Sequence, residues 1–204
     1  SADGAVSGVK EGEVEITASI DAVDGFTAAE AKTTIVVKPA GTEAPALTYT
    51  LQATASTHTA YAQSGEVEVN GLTWMVNGNT TLKSNEKPIW RLGGKKIENT
   101  DRFIYGKSPI SGKVSKIEIT HVGAGKDVTV NSVTVFVYDT AKDAADATNE
   151  VSSVAGSFVA NGVTTFEAPE GQDWTGKYYR IVYNLSVSVS KNQGVDFLKA
   201  DFWK

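Results

Sequence analysis

The run YYRIVYNLSVSV, Tyr178 to Val189, alternates without interruption. Tyr179, Ile181, Tyr183, Leu185, Val187 and Val189 fall on one side, and Tyr178, Arg180, Val182, Asn184, Ser186 and Ser188 on the other. A period of two places one set against a core and the other toward solvent, whereas on a helix both sets would be scattered around the axis. A strand with one apolar face needs a second apolar layer to lie against it. The chain is therefore expected to fold as stacked antiparallel sheets rather than as a parallel sheet buried on both faces.

Other segments fit that frame. VEITASI (Val14 to Ile20) and TTIVVK (Thr33 to Lys38) are rich in β-branched residues between turn residues. LTYTLQA puts Leu47, Tyr49, Leu51 and Ala53 on one face. VTVNSVTVFVY is apolar on both faces unless Asn131-Ser132 forms a bulge, which would bring Val128 and Val130 onto the side of Val133, Val135 and Val137. Asn70-Gly71, Asn77-Gly78 and Asn161-Gly162 each adjoin strand-like runs and carry the preferred pair for a tight type I′ turn, and SFVANGVTTF (Ser157 to Phe166) reads as a hairpin on its own. Only TAKDAADATNEV (Thr140 to Val151) has helical composition, and it is expected to be a loop with one helical turn. The expected class is all-β: a jelly-roll-like antiparallel sandwich preceded by a partial immunoglobulin-like β segment.

The chain has 204 residues, enough for one or two domains, and its 41% apolar and 21% charged residues are those of a globular protein. It has no cysteine, which removes disulfides, zinc–thiolate sites, iron–sulfur clusters and cysteine nucleophiles. No apolar run approaches the ~20 residues of a membrane-spanning helix. The net charge of −5 argues against nucleic acid as a partner, but it is unevenly distributed. Lys83 to Lys126 holds ten of the nineteen lysines and arginines and four acids. This bias fits either soluble strand edges or a basic face for an anionic polymer.

VVKPAGTEAPAL, with Pro39, Gly41 and Pro45, is poor in ladder-forming capacity and marks the boundary. The expected division is 1–40, a linker at 41–46, and a sandwich over 47–204. Residues 1–38 resemble the C-terminal half of a bacterial immunoglobulin-like group 2 domain. The resemblance rests on Asp3-Gly4, on the step Val6, Gly8, Gly12, and on EITA followed by a closing strand; it implies that the first half of that domain is missing. Leu47 to Lys204 resembles a β-sandwich module of multidomain surface proteins from gut Bacteroidota, through NGLTWMVNG, RFIYGKSPISGKVSKIEIT, VNSVTVFVY and the closing DWTGKYYRIVYNLSVSVS…VDFLKADFWK. That resemblance implies a secreted or lipid-anchored, extracellular setting. It carries no activity and no site residues.

Catalytic signatures are weak. His58 and His121 have no second histidine at ligand spacing, and His121 shares a face with Ile117 and Ile119, which points to a packed ring. VGAGKDVT (Val122 to Thr129) lacks the full phosphate-loop pattern and reads as a glycine-rich hairpin turn, and RLGGKK lacks the strand–turn–helix setting. Glu66 with Glu68, and Asp143 with Asp146, do not by spacing form a pair facing across a cleft. Asp173, Asp196 and Asp201 are the candidate donors for a structural calcium, though no cofactor is indicated.

The aromatics are the remaining signal. KPIWRLGGKKIENTDRFIYGK, Lys87 to Lys107, is expected to form a strand PIWRLG, a turn at Gly93-Gly94 and a second strand RFIYG. Trp90, Arg91, Asp101, Arg102 and Tyr105 from this stretch, with Trp174 and Tyr178, are the candidate ligand-binding set, since glycan sites combine stacking rings with polar groups. The alternative is that Trp74, Trp90 and Trp203 fill the core and that Trp174, in the loop PEGQDWTGK, caps the end of the sandwich. The expected function is non-catalytic: adhesion or glycan binding at a bacterial surface, with host or cell-surface polymers as partners. The alternatives are a ligand-free structural spacer and an accessory domain of a glycan-active enzyme.

Overall fold

The computed structural model describes residues 12–22, 24–25, 27–37, 46–54, 64–84 and 87–204. The chain divides into two compact units, Ser1–Ala44 and Pro45–Lys204. In the first, β1 (Gly12–Ile20) and β2 (Ala29–Val37) form an antiparallel hairpin in register from Gly12↔Val37 to Ile20↔Ala29. Lys32 bridges Glu15 and Glu30 at 3.2 and 3.3 Å, all three exposed, so these pairs add little stability.

The second unit is an antiparallel β-sandwich. One sheet is ordered β12 (Val163–Glu167), β9 (Lys116–Ala124), β14 (Gln193–Trp203), β7 (Lys87–Gly94), β6 (Asn79–Ser84), with β3 (Leu47–Gln52) also paired to β14. The other is ordered β11 (Ser152–Gly156), β10 (Val128–Tyr138), β13 (Tyr178–Val187), β8 (Ile97–Gly106), β5 (Leu72–Asn77), β4 (Ser64–Val69). From β7 onward consecutive strands alternate between the two sheets, except that β10 and β11 pair within one sheet, and this wrapping is that of a jelly-roll-like sandwich. β13 lies in the interior of its sheet, and its strict alternation buries one of its faces. Tyr179, Ile181, Tyr183, Leu185 and Val187 are all buried, and the first four join Trp90, Leu92, Ile117, Ile119, Phe197 and Phe202 from the opposite layer in one continuous core.

Several local expectations hold. Asn70 and Gly71, at φ 49° and 78°, form the two-residue turn between β4 and β5. The bulge in β10 falls at Asn131, between Val130 and Ser132, and it turns both valine runs toward the core. The helical turn is α1 (Ala141–Asp146), capped by Thr140, whose Oγ1 accepts from the Asp143 backbone N–H.

Other turns behave differently. Asn77-Gly78 leads from β5 to β6, Asn161-Gly162 lies between β11 and β12, and VGAGKDVT joins β9 to β10; each passes from one sheet to the other instead of closing a hairpin. Such glycine-rich turns supply chain reversal, and sheet membership follows from which layer needs the next apolar face. The expected turn at Gly93-Gly94 is also displaced: both glycines are in β7, and the reversal comes at Lys95-Lys96, with Lys96 at φ 47°. Gly93 and Gly194 stand opposite each other where β7 and β14 approach closely, and a Cβ on Gly93 would overlap the Gln193 carbonyl and the Gly194 Cα. Gly93→Ala is expected to cost roughly 2–3 kcal/mol by forcing these strands apart, a loss that urea denaturation would read directly.

One residue of the outer β13 face is not solvated. Arg180 is 8% exposed, lies 3.8 Å from the Phe103 ring centroid, and donates from one guanidinium nitrogen to the Ala144 and Ala145 carbonyls at 2.8 and 3.1 Å. It thus satisfies orphan carbonyls near the end of α1 and pins the helix over the sheet.

Candidate functional site

The seven sequence candidates do not converge. Trp90 is fully buried, stacked at 5.5 Å on Phe197, and its indole N–H donates to the Thr54 carbonyl at 2.9 Å; it is a core residue and not a platform. Trp174, for which the loop context leaves both a ligand-binding role and a cap on the sandwich open, is 1% exposed. Its ring meets Tyr179 edge-on at 6.2 Å, and the Tyr179 hydroxyl donates to its carbonyl, so it closes one end of the sandwich. Arg91 is committed to a bidentate pair with Asp196 at 2.6 and 2.7 Å. Arg102 turns inward between the layers and donates to the Gly93 carbonyl at 2.7 Å, its side chain filling the space a Cβ on Gly78 would need. Asp101, Tyr105 and Tyr178 lie on the outer face of the β13 sheet by strand parity, and of these Asp101 belongs to a polar cluster.

That cluster is built by two irregularities. The Asn131 bulge interrupts the pairing of β10 with β13, and a register shift in β8 opposite Ser186 accommodates Glu98 and Asn99, with Asn99 at φ 44°. Both neighbours of β13 thus carry an inserted asparagine at the same level, and bulges re-aim side chains in this way. Asn131 Nδ2 donates among Asn184 Oδ1 at 2.9 Å, Asn99 Oδ1 at 3.0 Å and Ser186 Oγ at 3.1 Å. Asn184 Nδ2 donates onward to Asp101 Oδ1 at 2.7 Å, and the Asn99 N–H donates to Ser186 Oγ at 3.1 Å. The result is a ladder of amides, a hydroxyl and a carboxylate spanning three strands. Asn99, Asp101 and Asn131 are solvent-exposed, so the ladder keeps unused donors and acceptors of both kinds.

The ladder opens at Ser186 into a trough of about 640 Å³ whose walls come from the β7–β8, β9–β10 and β13–β14 turns, with Lys96, Glu98, Lys126, Asp127, Thr129 and Ser188 among the lining residues. Those turns are tied to one another. The Lys96 N–H donates to the Val189 carbonyl at 3.0 Å and the Ser188 N–H to the Asp127 carbonyl at 3.3 Å. Gln193 clamps Asp127 twice, accepting from its N–H at 3.2 Å and donating to its carboxylate at 2.7 Å. The walls are therefore set before any ligand arrives, which lowers the ordering cost of binding.

Other candidate groups are engaged elsewhere. Glu66 pairs with Lys107, and Glu68 is exposed. Asp143 accepts from Thr140, Asn149 and Thr148, hydrogen bonds that hold its carboxyl below its ordinary value, that from Thr140 foremost. Asp173 caps the Thr175 N–H, Asp196 holds Arg91, and Asp201 accepts from Thr50 and Lys199; these three do not meet around one point, and among the described residues no group of acids and histidines forms a metal cage. His58 lies outside the described residues. No helix among the described residues is long and apolar enough to cross a membrane.

Fold and site together define a two-sheet antiparallel β-sandwich that carries an exposed amide ladder running into a pre-tied loop trough. No protein-family model matches the chain, and no curated protein is significantly similar to it.

Proposed function

We propose that Pro45–Lys204 is a non-catalytic module that holds a glycan, acting in adhesion at a bacterial cell surface within a secreted, multidomain Bacteroidota protein. The observation that carries this reading is the pair of bulges delivering Asn99 and Asn131 to Asn184, Ser186 and Asp101 beside the trough. Sugar hydroxyls both donate and accept, and amides with a carboxylate answer both roles. Successive outward residues on a strand recur about every 7 Å, so Asn184 and Ser186 on β13, with Ser188 just past its end, offer a row long enough to meet more than one ring.

A glycan array on the folded 204-residue chain tests this. Asn131→Ala with Asn184→Ala is expected to abolish array binding while lowering Tm by only a few degrees, since the ladder is exposed. Retained binding in that double variant would remove the ladder from the site. A second reading, a structural spacer, is favoured by the burial of Trp74, Trp90 and Trp174, which leaves none of these rings as a stacking platform. A blank array on folded protein would assign the spacer.

A further inference from the structure

Most cations of the basic stretch, together with Lys191 from beyond it, fall into two groups. Arg91 holds Asp196, Arg102 holds the Gly93 carbonyl, Lys107 holds Glu66, and Lys116 holds Glu118 at 2.8 Å. Lys96 and Lys126 line the trough, Lys95 sits beside Lys96 in the same turn, and Lys191 lies in the β13–β14 turn to which Lys96 is tied. None of these four has an ion pair among the described residues. They come from three turns at one end of the strands, whereas Lys113, in the β8–β9 loop, belongs to the opposite end. Two acids share the trough, Glu98 and Asp127, against four lysines, and the Asp127 carboxylate is held in place by the Gln193 amide. The end as a whole is positive, with hydroxyl-binding groups leading away from it at Thr129, Ser186 and the ladder.

We infer that the trough takes an acidic saccharide: a ring bearing a carboxylate or a sulfate that sits at Lys96 and Lys126, with neighbouring hydroxyls on Ser186 and the ladder. This rests on the glycan reading above and names its ligand class. A neutral glycan would use the ladder and leave the lysines idle. A bare polyanion would use the lysines and leave the ladder idle. The arrangement of both in one continuous strip selects a ligand carrying both features.

The test is titration calorimetry on the full chain with polygalacturonate, chondroitin sulfate, a neutral galactan and polyglutamate, at about 0.05 M and about 0.5 M salt, where screening lengths differ severalfold. The expected result is binding of one or both acidic polysaccharides, weakened about tenfold by the higher salt and about tenfold by Lys96→Gln with Lys126→Gln, and lost in Asn131→Ala with Asn184→Ala. The two acidic polymers distinguish carboxylate from sulfate. Equal, salt-insensitive binding of the neutral galactan would overturn the inference while leaving glycan binding intact. Polyglutamate bound as tightly as polygalacturonate would reduce the end to a generic anion patch and overturn the inference, and a blank with all four polymers would do the same, while the glycan array decides the underlying reading separately. Acidic binding untouched by the lysine substitutions would overturn the placement.

Discussion

Trp90→Ala is expected to destabilise the sandwich by roughly 3–5 kcal/mol. The ring is fully buried, stacked on Phe197 at an interplanar angle of 9°, and anchored through its N–H to the Thr54 carbonyl. Alanine would leave a cavity between the two layers and an unpaired carbonyl at the end of β3. Because β7 also pairs with β14 along Phe197 to Gln193, relaxation into the cavity would have to move the central strand of its sheet, so little collapse is available. Chemical denaturation of the variant should show a lowered midpoint with an unchanged slope. A loss under 1 kcal/mol would mean that the ring is peripheral and would reopen Trp90 as a ligand platform. Trp90→Phe, which preserves the stacking partner, should recover most of the loss and confirms that packing is the cause.

Acid is expected to weaken the fold through His121. The ring is 2% exposed, its Nε2 lies 2.9 Å from the Tyr183 hydroxyl, and its Nδ1 has no hydrogen-bond partner among the described residues. Burial outweighs the pull of the Val159 backbone and lowers its pKa from 6.5 to about 4. Burial also pushes the Tyr183 hydroxyl upward, so it stays neutral beside the ring. The folded state therefore resists a proton that the unfolded chain accepts near 6.5. Between these two values the unfolded chain binds more protons, and stability falls as pH falls through that window. The His121 contribution is complete above about 6.5, declines by about 1.4 kcal/mol per pH unit, and levels off below about 4 after a total loss of roughly 3 kcal/mol. His121→Gln, which keeps a polar partner for Tyr183, should flatten the pH dependence between about 4 and 6.5 relative to the parent chain. Urea midpoints at pH 7, 5.5 and 4.5 check this, and parallel slopes in the two proteins would exclude His121 as the cause.

The polar ladder shows how a site can be half-legible. The Asn131 bulge is readable because VTVNSVTVFVY cannot bury both valine runs without it, and Asp101 is readable as a polar group beside aromatics. Asn99 and Asn184 gave no signal: an asparagine in a strand or loop is ordinary, and its partners here lie 32 and 53 positions away from Asn131. Trp174 stays open between ligand platform and cap in the sequence for a related reason. Proline, glycine and aspartate around it correctly mark a loop, but loop residues carry no statement about what the loop covers, and this one folds its ring over the end of the core.

The division between the two sources of information follows from the range of the forces. Alternation, turn residues and β-branching act over a few positions, so the chain alone determined that it forms strands, which face of β13 is buried, where β10 must bulge and where one helical turn interrupts the β pattern. Sheet membership depends on backbone hydrogen bonds between segments far apart, and both layers satisfy the same local pattern equally well. Only the tertiary structure therefore decided that Asn77-Gly78 and Asn161-Gly162 cross between sheets, that Arg180 lies beneath α1, and that three turns distant in sequence meet at one end with lysines that have no ion pair among the described residues.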